Sequence, residues 1–378
     1  MKLILTLLFC YLFYLAQDKI YEKLWNRGLN VHVSFDDTTV IEGQSTYLTE
    51  VIENDNSLLL PIFQVKLQAP KEFVFAKESN TTVTDCYYRN DVYSLMPHQR
   101  ITRKLPLLCK KRGCFLISQL DIVSRNLFMT SILADHIPTN ALLHVLPKKI
   151  PMNEISPALI SQIGEVIRRN SLFTDPFAFK GIREYRPHDT MHSINWKVSA
   201  KYQSLYVNTY DATSSKELYL FLNLEMNSVF RKEELQEESI RIADTIADLF
   251  ITKNIPLHFY CNGLDKFTKK AFTMEAGCGK DHMKRIDISL ARLDLTLPTA
   301  PTLPMLDAIS KKDPSHTEII LISNYRKDDL VSYYKELARK GYPVTFIIPE
   351  YLDHDVFLEQ IPNAYKWEVN YREKISEL

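Results

Sequence analysis

The chain has 378 residues, 46% of them apolar, which is enough for two or three domains with buried cores and excludes a chain of disordered composition. Lys plus Arg and Asp plus Glu are balanced at 46 each, so bulk charge draws it neither to nucleic acid nor to acidic lipid, and any basic site must be local. Nine glycines without a G-x-x-x-x-G-K-[ST] run speak against a phosphate cradle, and six scattered cysteines without C-x-x-C spacing imply neither a zinc site nor a disulfide framework.

The first element is apolar. Leu3 to Ala16 is unbroken except for Thr6 and two tyrosines. As a helix it spans about 21 Å, short of a ~30 Å hydrocarbon core. Tyr11 and Tyr14, with Gln17 to Ile20 beyond, complete a tilted or snorkelling span. A cleaved signal peptide is the competing reading, but cleavage wants small residues at −1 and −3, and Ala16 with Tyr14 match poorly. Residues 1–25 are therefore expected to be an uncleaved, single-pass membrane anchor helix. Lys2 stands on one side and Lys19, Lys23 and Arg27 on the other, which places the large C-terminal part in the cytoplasm by the positive-inside rule.

Residues 29–147 read with period two. In "PIFQVKLQ" Phe63, Val65 and Leu67 share one face and Gln64, Lys66 and Gln68 the other, the mark of a half-buried antiparallel strand. "VHVSF", "YLTEVIEN", "EFVFA", "RITRKLPLLCK", "CFLISQLDI" and "ALLHVL" are further strands, so an all-β sandwich of Ig-like size is expected. Cys109 and Cys114 flank a turn, and two strand thiols are favoured over a bridge. Prolines at 147, 151 and 157 mark a linker, and "PALISQIGEVIRRN" opens a segment, 155–210, of helix, strand, turn, helix and strand.

From 214 to 378 apolar strands ("ELYLFLNL", "PLHFYCN", "EIILIS", "PVTFIIP") alternate with amphipathic helices, which predicts an α/β domain with an open, mostly parallel sheet and helices on both faces. Gly277-Cys278-Gly279-Lys280 reads as a turn before a helix. Ligands on such sheets bind at the carboxyl ends of the strands, and there the sequence offers Asn223, Glu225, Asn227, Thr302 and Asn324.

This layout resembles the von Willebrand factor A domain, whose first strand ends in D-x-S-x-S and whose oxygens hold magnesium. In this chain the aspartate is replaced by Asn223, the serines by Glu225 and Asn227, and the last aspartate by Asn324. Mg²⁺ wants hard anionic oxygen, and Glu225 alone is charged. The expectation is a degenerate site, weak or empty, with no cofactor. The open alternative is a weak ion completed by a partner's carboxylate.

The densest stretch is "GIREYRPHDTMHSINWKVSAK", residues 181–201. Asp189 can cap a helix there, on which Ile194 and Val198 pack inward beside a stripe of Trp196 and Ala200. His188, Asp189 and His192 invite an acid–base or metal reading, but no nucleophile elbow or triad order accompanies them, and no catalytic role is assigned. The pattern R-E-Y-x-P-x-D-x-x-x-x-I-x-W-x-x-S-A-[RK], carried by Arg183, Glu184, Tyr185, Pro187, Asp189, Ile194, Trp196, Ser199 and Ala200, strongly resembles domain of unknown function 58. "KRGCF" and "SRNLF" stand where that family shows R-G-x-[YF] and D-P-F-G-L-F. His188 replaces the usual glycine, His192 the usual arginine and Asn195 a common aspartate.

The resemblance implies a membrane-tethered protein with a von Willebrand A-type domain that works with a MoxR-type AAA+ ATPase in assembling or maturing other proteins, with no established enzyme activity. A non-catalytic protein-binding adaptor is therefore expected, and no nucleic acid as partner. The alternative is a divalent-cation-dependent adhesion or ligand-binding protein with an exported A-like domain.

Overall fold

The computed structural model describes residues 2–70, 73–75, 81–83, 86–170, 174–186, 191–212, 217–226, 233–352 and 361–369. The chain divides into two compact units, residues 1–148 with 290–293 and residues 149–289 with 294–378.

In the first unit α1 (Lys2–Leu24) is long and apolar enough to cross a membrane. Its side chains from Leu3 to Phe13 stand exposed. At Gln17 the character changes. Gln17, Tyr21 and Trp25, spaced four apart on one stripe, are buried, and the Tyr21 hydroxyl donates to the Leu59 carbonyl at 2.6 Å. One helix thus serves two environments.

Strands β1 (Leu29–Phe35), β2 (Thr39–Ile41), β3 (Ser45–Asn54), β4 (Leu60–Pro70), β5 (Phe73–Phe75), β6 (Thr81–Val83), β7 (Cys86–Leu95), β8 (Gln99–Cys109), β9 (Gly113–Arg125) and β10 (Ile132–Leu146) follow. They form two sheets, β1-β3-β8-β5 and β2-β10-β9-β4-β7-β6, antiparallel except for the β2–β10 pair. Period-two alternation sends Leu48 and Ile52 of the first sheet and Phe63 and Val65 of the second into one core with Tyr21 and Trp25, and a break in the alternation of β9 at Ser118 and Gln119 lets both Ile117 and Ile122 join them. Cys109 and Cys114 are free, buried thiols. β10 begins well before the expected "ALLHVL", because its first half alternates between half-buried and exposed positions and carries little apolar signal.

The same alternation buries Glu50 of β3, and an ionic cluster answers it. The Tyr93 hydroxyl donates to Glu50 Oε2 at 2.6 Å, Arg103 donates to Asp91 Oδ1 at 2.8 Å, and Arg89 makes a two-pronged contact with Asp91. Burial raises the Glu50 carboxyl above its usual range, opposed by the Tyr93 hydrogen bond. Arg89 and Asp91 are almost wholly buried, so their separation leaves charge in a medium that solvates it badly. Asp91→Asn should cost about 3 kcal/mol in chemical denaturation. Arg100→Ala, which breaks the exposed Arg100–Glu53 pair, should cost less than about 1 kcal/mol.

The second unit comprises α2 (Pro157–Asn170), β11 (Thr174–Glu184), α3 (Trp196–Tyr202), β12 (Tyr206–Ala212), β13 (Glu217–Asn223), α4 (Glu233–Thr252), β14 (Leu257–Leu264), β15 (Ala271–Gly277), α5 (Lys280–Ala291), α6 (Thr302–Ile309), β16 (Thr317–Ser323), α7 (Asp328–Arg339), β17 (Val344–Tyr351) and β18 (Ala364–Val369). β11 and β12 pair as a two-stranded sheet, while the main sheet runs β15-β14-β13-β16-β17-β18, parallel except for antiparallel β15 at one edge. β13, β16 and β17 are buried nearly throughout, as strands covered on both faces must be. Tyr219, Phe221, Ile319, Leu321 and Phe346 pack against Leu306 and Ile309 of α6 and Leu330 and Tyr334 of α7. Residues of the opposite parity face α4, which contacts β13, β14, β16 and β17. Gly279 at φ +88° turns the chain into α5, and Gly341 at φ +88° stops the chain beyond α7.

In this unit β15, β18 and α6 lack a sequence expectation, as β2, β6 and β7 do in the first. α6 arises in the proline-rich "TAPTLPML" because Pro301 sits at its N-cap and Pro304 falls in the first turn, where backbone N–H groups have no helical acceptor to lose.

α4 also buries Asp244, whose carboxyl is held well above the usual range by burial and then by its hydrogen bond with Asp287 of α5. Asp287 is raised too, chiefly by burial. Lys149 is engaged with Asp248 at 2.7 Å. A raised folded-state value means the contribution of Asp244 is complete below the unfolded carboxyl pKa of about 3.9 and is lost as pH rises through the folded value. Asp244→Asn should therefore remove this group's share of the stability lost as pH rises above about 3.9, read from denaturation midpoints across pH.

Candidate functional site

The strand order reverses between β13 and β16, which makes the carboxyl ends of these strands the crevice where an open α/β sheet places its ligand site. Asn223 ends β13 and Ser323 ends β16, their backbones paired across the crevice. Both side chains are buried.

Asn223 Oδ1 accepts three hydrogen bonds: from the backbone N–H of Glu225 at 2.9 Å, from Asn262 Nδ2 at 2.6 Å and from the Thr302 hydroxyl at 2.8 Å. Its Nδ2 donates to Ser323 Oγ at 3.0 Å. Asn262 Oδ1 accepts from Leu224 N at 2.7 Å, and its Nδ2 reaches the Ala300 carbonyl at 3.1 Å and Thr302 Oγ1 at 2.9 Å. Ser323 Oγ accepts from Tyr325 N at 3.0 Å. The network is neutral, and its groups bond to one another.

Of the residues expected at this edge, Asn223, Glu225 and Thr302 come together; Glu225 Oε1 accepts from the backbone N–H of Thr302 at 3.3 Å. Asn324 turns away: its Nδ2 donates to the Pro349 carbonyl at 2.7 Å and to Glu350 Oε2 at 3.3 Å. Glu350 is buried and takes Arg326 at 2.6 Å, so this second cluster ties the β16 end to the β17 end. Asn227 lies outside the described residues. Asn262 and Ser323 are the members that sequence reasoning missed. Both stand at the ends of apolar strands, so the rule that selected Asn223 would have found them.

Asn223, as it is bonded here, does not fit Mg²⁺. A divalent ion in octahedral geometry needs free, preferably anionic oxygen, yet the oxygen of Asn223 already faces three donors and its nitrogen faces Ser323. Among the described residues no group of three or more His, Cys, Asp or Glu side chains is arranged to hold a metal.

The second candidate region is the signature segment. Tyr185 N donates to the Leu205 carbonyl at 2.8 Å, Asn195 N to the Tyr206 carbonyl at 2.8 Å, and Ile194 bridges Val207. Ser199 Oγ accepts from Tyr206 N at 2.9 Å. Asn195 caps α3 by accepting from Val198 N at 3.1 Å, and its Nδ2 donates to Asn208 Oδ1 at 2.7 Å. The expected cap, Asp189, lies outside the described residues with Pro187 and His188; of His192 only the backbone is described. Arg183 and Tyr185 are half-buried, Glu184 and Arg186 exposed, and Arg183 donates to the Glu184 carbonyl at 3.0 Å.

Trp196, expected to form a stripe with Ala200 beside the inward Ile194 and Val198, faces solvent. It is 63% exposed, and Ala200 is exposed as well, because α3 starts at Trp196 and only Ser199 of this short helix is buried. Ile182, Met191, Tyr202 and Leu205 of the same segment are also exposed.

Residues 181–348 match the family model described as "Protein of unknown function DUF58". This segment is DUF58-like. The match covers less than half of the chain, and no curated protein matches. Among solved structures the chain is similar to a non-cellulosomal cohesin from the hyperthermophilic archaeon Archaeoglobus fulgidus, at 10% identity over 31% of this chain and 91% of that one, with a TM-score of 0.22. It is also similar to the CARDB domain of a Pyrococcus furiosus protein in complex with di-metal ions, at 11% identity over 30% of this chain and 90% of that one, with a TM-score of 0.18. Scores this low establish no shared fold.

In the DUF58-like segment Asn262→Ala should cost roughly 2–3 kcal/mol in denaturation, because it withdraws a donor from buried Asn223 and the acceptor of Leu224 N together.

Proposed function

We propose that the protein is a non-catalytic, membrane-tethered adaptor that binds other proteins, works with a MoxR-type AAA+ ATPase, and docks it through the exposed face of the DUF58-like signature. The observation that carries this reading is Trp196. Ile194, Asn195 and Ser199 perform the local folding work, yet the tryptophan of the same motif stands 63% exposed. A solvated tryptophan in a segment that also exposes Met191, Tyr202 and Leu205 is of the residue type that anchors protein contacts.

The strand order, with its one antiparallel edge strand, supports a von Willebrand A-like reading of the sheet, and two antiparallel sheets sharing one core support an Ig-like sandwich ahead of it. A non-catalytic role is supported by the strand-end network, whose amides and hydroxyls are bonded to one another and offer little to acid–base chemistry. The apolar helix α1 supports a single-pass anchor, and the basic residues after it support a cytoplasmic C-terminal part.

Affinity capture of the full chain from solubilised native membranes tests the proposal. Wild type should recover a MoxR-type ATPase. Trp196→Ala should lower recovery roughly tenfold or more, as loss of a hot-spot aromatic does, while changing stability by no more than about 0.5 kcal/mol. Equal recovery from both proteins, or unfolding of the variant, contradicts it.

A further inference from the structure

We propose that the tip of the β9–β10 hairpin inserts into the lipid–water interface beside α1 and forms a second membrane contact. The inference rests on the anchor reading of α1. The tip reads "NLFMTSI", residues 126–132, without a charged side chain. Leu127, Phe128, Met129 and Ile132 are all exposed, Ile132 to 65%. Such a run at a hairpin end is unusual on a surface that meets only water.

The tip is fastened to the anchor at two successive helical turns. The Phe128 ring lies 6.4 Å from that of Phe13 and 6.1 Å from that of Tyr14, and the Tyr14 hydroxyl donates to Thr130 Oγ1 at 3.4 Å. One turn on, Asp18 Oδ1 accepts from Asn126 Nδ2 at 3.0 Å and from the Ser131 hydroxyl at 2.6 Å. Asn126 Oδ1 in turn accepts from Thr130 N at 2.8 Å and Ser131 N at 3.2 Å, which fixes the loop from inside. The polar side chains of the tip are spent on the helix and the loop, and the apolar ones are left outward.

Length explains what covers them. The exposed apolar part of α1, residues 3–16, is about 21 Å long and falls about 9 Å short of a ~30 Å hydrocarbon core. A span too short draws its flanks towards the bilayer, and the flank at the level of Phe13 and Tyr14 is this hairpin. Lys19 and Lys23 follow on the helix, Arg27 lies just beyond its end, and Arg125 stands at the hairpin neck, where lipid phosphates would meet them. The apolar tip is continuous with a helix surface that lipid itself covers, so lipid is the occupant.

The test uses the full chain in phosphatidylcholine–phosphatidylglycerol vesicles, with Cys10, Cys86 and Cys278 changed to Ser and one environment-sensitive fluorophore attached at a time through Phe128→Cys, Ile132→Cys, Leu8→Cys or Tyr47→Cys. Positions 128 and 132 should be blue-shifted and quenched by lipid spin-labelled near the headgroup. Position 8 should be quenched by label deep in the acyl chains, and position 47 by neither. Quenching at 8 without quenching at 128 and 132 overturns the hairpin contact and leaves the anchor standing. Silence at position 8 overturns both. Disulfide-linked dimers through residue 128 with no lipid quenching there assign the patch to a second copy and overturn the proposal.

Discussion

The second unit depends on one saturated acceptor. Asn223 Oδ1 takes hydrogen bonds from Glu225 N, Asn262 Nδ2 and Thr302 Oγ1, while the nitrogen of the same amide donates to Ser323. An amide can do both at once, whereas an ionised carboxylate has no proton to give. The consequence is a crevice knitted shut by neutral groups: β13, β14, β16 and the start of α6 are tied together at the point where an open sheet otherwise presents its ligand site. Burial raises the stakes, because each of these groups would be costly if left without its partner.

With its switch point closed, the DUF58-like segment keeps its distinctive chemistry on the outside. The motif divides its labour. Asn195 and Ser199 hold α3 against β12 through backbone groups, and Ile194 enters the interior, while Trp196 and Tyr202 meet solvent. The first unit shows a parallel division along α1. Gln17, Tyr21 and Trp25 lie in the unit, and the residues before them stand outside it. In both places one short stretch of chain is fixed to its unit by a few side chains and leaves apolar ones exposed.

Period and strand-end logic made much of this legible. Alternation in "PIFQVKLQ" marks the β4 face that reaches the core, and the unbroken apolar "ELYLFLNL" marks β13 as a doubly covered strand. Asn223, Glu225 and Thr302 were readable as neighbours because strand ends of a parallel sheet converge. Asn324 was not, since its side chain follows the Glu350–Arg326 pair, a tertiary contact that no local pattern announces. The exposure of Trp196 was not legible for a related reason: the pattern places it on a stripe with Ala200 but does not say whether the rest of the unit covers that stripe. The ionic cluster around Asp91 was equally hidden, because in β7 Arg89 and Asp91 take the buried parity and Tyr88 and Val92 the exposed one, the reverse of the usual pattern.

The closed, neutral crevice is tested most directly by side-chain amide NMR of Asn223 and Asn262 during titration with millimolar Mg²⁺. Slow solvent exchange and unchanged resonances for both amides are expected. Saturable shifts of these amides, with loss of their protection from exchange, would mean that the network opens to hold an ion and would contradict it.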